Sequence, residues 1–338
     1  MNFGRGIVRS ASALRRSTTA FATNSAISRG SAAACDDASS RVIVEAPETK
    51  LTTLDSGLRI ASQTFRIPTA TVGVWIDGGS RYETSLDNGV AHFLEHMNFK
   101  GTRKRTQYDL EFEVENMGAH LNAYTSREQT VYFAKCFAHD TERAVEILAD
   151  ILLNSTYGSR EIEVERNVIL REMEEVEQNM QEVVFDRLHD GAFRGCSLST
   201  TILGPIKNIR SMNRMNMADY IRKFYKGPRM ILCGAGGIAH SDLVAFAQKY
   251  FGGIERGTDE VLQYEPGVFQ QSYQAFENDR MDIIYGCLAV EGTSWTHPDN
   301  IAMQLLNTML GQYDCSLGGG IGGSSMLTDA VSTSGLSD

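Results

Sequence analysis

The stretch Asn88-Gly89-Val90-Ala91-His92-Phe93-Leu94-Glu95-His96-Met97 decides how the rest of the chain is read. As a helix it places His92 and His96 four residues apart, one turn above the other on a single face. Glu95, three residues after His92, reaches the same space. Two imidazoles at that spacing can hold a divalent cation from one side, and a neighbouring carboxylate can take a proton from water on the metal. The pattern H-x-x-E-H is the inverted counterpart of the H-E-x-x-H zinc signature. A helix whose histidines merely pack or hydrogen-bond would show the same spacing, so the reading requires a third ligand from elsewhere in the chain.

Outward from this helix, short alternating runs at Thr49–Leu54, Leu58–Gln63 and Ala70–Ile76 read as strands. The first two form a hairpin about Asp55-Ser56-Gly57. Asp87 or Asn88 is the expected cap of the histidine helix. Thr106–Met117 reads as helix, Gln129–Cys136 as strand, His139–Leu153 as an amphipathic helix, Arg229–Gly234 as strand and His240–Tyr250 as helix. The longest helix is expected from Ser159 to about Asp190 with no break. Most of its acids form a solvated face, but Glu165 and Glu172 are seven apart on one stripe and can point at the same neighbour. Among the other histidines, His120, His139 and His189 stand at no ligand spacing and read as structural.

The whole sequence of 338 residues is 42% hydrophobic and 22% charged, an ordinary globular composition with room for two domains. A net charge of −10 argues against nucleic acid as a partner and suits cationic substrates. No apolar run is long enough to span a bilayer. Six scattered cysteines without C-x-x-C spacing fit reduced thiols and argue against both a disulfide frame and a thiolate metal site. The first forty residues differ from everything that follows. Arg5, Arg9, Arg15, Arg16 and Arg29 precede the first acid, Asp36, with Phe3, Ile7 and Leu14 on the opposite side of a helix. An Arg-rich, acid-poor amphipathic leader predicts import into an organelle, the mitochondrion before the plastid.

The opening pattern also recurs. Gly286 and Gly292 repeat the spacing of Gly73 and Gly79, and Asp299-Asn300 matches Asp87-Asn88. The following helix then places Gln304, Asn307 and Thr308 where the first copy has His92, Glu95 and His96, so the second copy lacks the metal ligands. The expected organisation is a presequence over 1–42, a catalytic domain over 43–251, a linker over 252–266 and a partial second domain over 267–338.

These residues together resemble the pitrilysin-like (inverzincin) metallopeptidases, and within them the presequence-processing branch, from about Val44 onward. The resemblance implies an α+β fold of two homologous α/β-sandwich domains with mainly antiparallel sheets, the second one truncated here. In that family a glutamate ligand follows the second histidine by some 76 residues, and Glu172 stands at that distance from His96. The resemblance therefore implies one Zn2+ held by His92, His96 and Glu172, with Glu95 as general base. It implies that Glu165 orients a ligand or the water. It places Asn122, Ala123 and Tyr124 on an edge strand that pairs with an extended substrate. Phe99 would line the pocket just after the cleaved bond, and Glu182 with Asp186 would clasp a substrate arginine.

The branch further implies an alpha subunit as partner in a heterodimer, presequence-bearing precursor proteins as substrates and a mitochondrial matrix location. Leu317–Ser325 is shorter than the glycine-rich loop of the alpha subunits and resembles the beta-type equivalent. Core subunits of the respiratory bc1 complex share the fold, which gives a structural role as the alternative reading. An insulinase-like peptidase of broader specificity is a third, which the leader and the Glu182/Asp186 pair disfavour. A second domain equal to the first would need on the order of another hundred residues. The expectation is thus a complete zinc site on a chain short of full activity.

Overall fold

The computed structural model describes residues 47–257, 266–311, 313 and 325–335. The leader and the glycine-rich stretch from 314 to 324 lie outside them. The chain divides into two compact units, one ending at Tyr285 and the other beginning at Gly286.

The first unit is built on six strands. β1 (Lys50–Thr53), β2 (Arg59–Thr64) and β3 (Thr69–Ile76) come first. After α1 (Val90–Met97) and α2 (Gln107–Asn116) come β4 (His120–Thr125) and β5 (Thr130–Phe137). Helices α3 (Thr141–Leu153), α4 (Ser159–Gln178), α5 (Met180–Ala192), α6 (Ile206–Ser211) and α7 (Arg214–Phe224) follow, then β6 (Met230–Gly236) and α8 (His240–Phe251). The strand order is β1-β2-β6-β3-β5-β4, and every pairing is antiparallel except β2 with β6. The mostly antiparallel sheet, with its helices arranged around it, makes the unit α+β.

The strands form where β-branched and aromatic residues alternate with small ones, as in Thr-Ala-Thr-Val-Gly-Val-Trp-Ile of β3. Val72, Val74 and Ile76 are fully buried there. α3 and α8 pack on each other and against β2, β3 and β5, burying Ala144, Val145, Leu148, Ile151, Leu243 and Ala247. Apolar area removed from water at about 25 cal/mol per Å2 makes this the principal source of stability. Arg105 is buried beside it, bonding Glu146 at 2.6 Å, Asp150 at 2.8 Å and Glu113 at 2.9 Å. It thereby ties the chain after α1 to α2 and α3.

Two local expectations change. The helix expected from Ser159 to about Asp190 breaks at Asn179, whose ψ of 91° leaves the helical region, so α4 and α5 are separate. Asn competes with helix backbone for hydrogen bonds, and here its side chain bonds Glu182 Oε1 at 3.2 Å as the new helix starts. Second, the N-cap of α1 is Gly89, at φ 101°, and neither Asp87 nor Asn88. A Cβ at Gly89 would meet the Leu203 carbonyl at 2.7 Å, so only glycine serves both the left-handed turn and the close approach.

The second unit contains α9 (Asn300–Leu310) and α10 (Met326–Ser334) among its described residues. α9 falls where the repeated pattern places it. Residues 281–292, which carry Gly286 and Gly292 of the repeated pattern, form no strand. A strand requires a neighbour that pairs with it, and no described residue does so here.

Candidate metal centre

α1 carries His92 and His96 on its buried face, packed against α4, α7 and β4. Its first turn is capped by Glu83 from outside the helix. Glu83 accepts from the amides of Gly89 at 2.8 Å and Ala91 at 2.7 Å, and from the Asn88 side chain at 2.8 Å. A carboxylate on free amides at a helix N-terminus meets both the orphan donors and the positive end of the dipole.

α4 brings the third acid. Glu172 Oε2 lies 3.3 Å from His96 Nε2 and 3.7 Å from His92 Nε2, and the two Nε2 atoms are 3.3 Å apart. Donors about 2.0 to 2.1 Å from a tetrahedral zinc stand about 3.4 Å from one another, so this triangle has the size of one face of a zinc tetrahedron. The donor set of two imidazoles and a carboxylate suits the ion too. Glu172 Oε2 is buried and no hydrogen-bond donor among the described residues satisfies it, as a lone pair turned toward a shared cation would be. These are the only three among the described residues that could hold a metal together.

The surrounding charges fix the proton positions. His96 Nδ1 is 2.9 Å from Glu165 Oε1, and Glu165 Oε2 takes the Lys100 ammonium at 2.9 Å. With Nδ1 donating to Glu165, a His96 that has given up its other proton would present the Nε2 lone pair inward. Burial opposes an imidazolium at His96, but Glu165 and then Glu172 outweigh it and push His96 up to about 9. Burial and then the neighbouring His96 pull His92 down to about 4. Burial would raise Glu165 and Glu172, yet His96 holds both carboxyls below their usual range, with Lys100 assisting at Glu165. His92 Nδ1 has no hydrogen-bond partner among the described residues.

Glu95 projects from the same helix. Burial raises its carboxyl, against His96 and the Thr125 hydroxyl, which lower it. Thr125 Oγ1 donates to Glu95 Oε2 at 2.5 Å. Thr125, Lys100 and Glu83 escape a reading of the sequence. Thr125 and Glu83 meet their partners only through the fold. Lys100 lies four residues after His96 but beyond the end of α1.

The other expected site residues are dispersed around this centre. Asn122, Ala123 and Tyr124 lie on β4, one of the two edge strands of the sheet. The Ala123 amide donates to Asn122 Oδ1 at 2.8 Å. Phe99 is half-buried against Tyr132, with ring centroids 6.1 Å apart. Glu182 and Asp186 share one face of α5, and Asp186 Oδ1 accepts from Arg127 Nη2 at 2.7 Å.

Residues 59–206 match the model of the insulinase family, peptidase family M16, and residues 211–338 match that of the M16 inactive domain. The chain belongs to peptidase family M16. It is 54% identical to the bovine mitochondrial-processing peptidase subunit beta over 86% of this chain and 59% of that protein. The corresponding figures for the Caenorhabditis elegans subunit beta are 50%, 85% and 62%. Subunit 1 of the bovine cytochrome b-c1 complex is 46% identical over 86% of this chain and 61% of its own. The chain thus spans about 60% of the length of these relatives. Among solved structures, a protease from Helicobacter pylori shares the fold with a TM-score of 0.62 at 22% identity, over 66% of this chain and 55% of that one.

Proposed function

We propose that this chain is the metal-bearing subunit of a zinc endopeptidase that removes N-terminal presequences from proteins imported into mitochondria. The observation that carries the reading is the His92, His96 and Glu172 triangle with Glu95 beside it. Zinc would be held by Nε2 of the two histidines and Oε2 of Glu172. Bound there, it supplies Lewis acidity, which lets water lose a proton near neutral pH and offsets charge developing on the scissile carbonyl.

The chain's own groups do the rest. Glu95, with Oε2 held by Thr125, keeps Oε1 for the proton of the attacking water and returns it to the leaving nitrogen. Burial raises its carboxyl, the direction that favours both taking up that proton and handing it on. Glu165 holds the proton on His96 Nδ1 and is itself held by Lys100. The β4 edge supplies main-chain donors and acceptors for an extended substrate, Phe99 lines the pocket after the cleaved bond, and Glu182 with Asp186 receives an arginine. A heterodimer with an alpha subunit in the matrix completes the proposal, supported by the names of the beta-subunit relatives.

The identity to the bovine b-c1 subunit favours a second reading, a core subunit of that membrane complex. Co-purification separates the two: one alpha-type partner supports the peptidase, integration into a respiratory complex the core role. The deciding variant is Glu95→Gln, assayed with the partner subunit on a presequence peptide. Zinc content is expected unchanged and cleavage reduced on the order of a hundred- to ten-thousand-fold. Undiminished cleavage removes Glu95 from the mechanism.

A further inference from the structure

Arg127 lies in the turn between β4 and β5, two residues past the Thr125 that touches Glu95 and three past the proposed substrate edge. That turn is fixed. Ser126 Oγ donates to the Gln129 carbonyl at 3.0 Å and accepts from the amides of Glu128 at 3.3 Å and Gln129 at 3.0 Å. The Arg127 carbonyl accepts from the Arg81 amide at 2.7 Å. From this anchored backbone its guanidinium reaches α5 and puts Nη2 on Asp186 Oδ1 at 2.7 Å.

The pairing is a modest one for a guanidinium. It is one-armed, where Arg and a carboxylate can pair through two parallel bonds. Arg127 Nε is buried and has no hydrogen-bond partner among the described residues. The two side chains are 13% and 31% exposed, so Asp186 remains open to solvent on one side. Among the described residues Glu182, one turn before Asp186, takes one hydrogen bond, from the Asn179 side-chain amide. With Arg127 in place the two acids carry one net negative charge between them instead of two.

We infer that Arg127 is an internal occupant of this acidic subsite, a guanidinium that an incoming substrate arginine must displace from Asp186. The inference rests on the proposed role of Glu182 and Asp186 as arginine receptors. Exchange is like for like, since one guanidinium leaves a single hydrogen bond to water as another arrives. The main-chain edge is self-satisfied in the same way, its Ala123 amide resting on the Asn122 side chain. An internal occupant lowers the affinity of every competing cation by the fraction of time the subsite is free. It leaves uncharged side chains unaffected, and that difference is the signature to measure.

The test is binding of a fluorescent presequence-type peptide with a single arginine, beside its citrulline counterpart, to the full zinc-loaded chain by anisotropy. If Arg127 fills the subsite about nine-tenths of the time, Arg127→Gln tightens the arginine peptide about tenfold and leaves the citrulline peptide unchanged. Arg127→Lys, which keeps the charge but loses the planar fork, is expected to tighten it by a smaller factor. It also serves if the glutamine variant does not fold. Unchanged or weaker arginine binding in the folded variants overturns the inference. Failure of the underlying subsite looks different: the wild-type chain would bind both peptides alike, and Asp186→Asn would change neither.

Discussion

His96 divides its ring between two carboxylates, Nδ1 to Glu165 and Nε2 toward Glu172 and His92. Because these push His96 up to about 9 in the metal-free protein, it carries a proton at pH 7 that a cation on Nε2 must expel. Zinc titration at pH 7, by calorimetry in buffers of different ionisation enthalpy, should show about one proton released per ion. Zinc affinity should rise with pH toward about 9. Equal heats in all buffers would contradict the assignment. Thr125 tests a different bond. Its hydroxyl lowers the Glu95 carboxyl, so Thr125→Val should raise it further and move the acidic limb of the cleavage profile to higher pH. A loss of about tenfold in rate would accompany it. The two histidines and Glu95 were legible because one helical period joins them. Glu172 required the family resemblance, and Thr125 left no trace, since it meets Glu95 only through the pairing of β4 with the rest of the sheet.

At the scale of elements, the two expectations that changed are both helix ends. The cap of α1 escaped a local reading because its acceptor, Glu83, sits six residues before the amide of Gly89 and folds back upon it. Its carboxyl is pushed up to about 7, burial overcoming the donors that hold it. A folded-state value above the unfolded one means that the native chain holds the proton more tightly. Stability should therefore fall as pH rises from about 4.5 to about 7. Glu83→Gln cannot titrate, so relative to wild type it should gain roughly 2 to 4 kcal/mol across that window. Denaturant melts at pH 4.5 and 8 measure this, and a constant difference would show that Glu83 does not titrate there. The break at Asn179 was hidden for another reason. No glycine or proline marks it, and single-residue propensity only weakly disfavours Asn in a helix. Yet the break sets α5 apart from α4 and leaves Asp186 against Arg127.

At the scale of the molecule, the hairpin of β1 and β2 and the strand β3 were legible from alternation and turn residues. The place of β6 was not. It lies between β2 and β3, pairing Leu232 with Ile60 on one side and with Val74 on the other, and nothing local in either stretch records a partner so far along the chain. Without β6 the sheet separates into β1-β2 and β3-β5-β4. A chain ending at Tyr225 should show no cooperative melt and no stoichiometric zinc. Circular dichroism and metal analysis check both, and a folded zinc-binding product would show that β6 is dispensable.

The late arrival of β6 also sets a clock for synthesis. Ribosomes add about 5 to 20 residues per second, so the facing edges of β2 and β3 wait on the order of 10 to 30 s for the strand that closes the seam between them. During that interval the nascent polypeptide offers two unzipped borders to any neighbour, and a holdase that shields them would raise the yield of active molecules more than one acting after release.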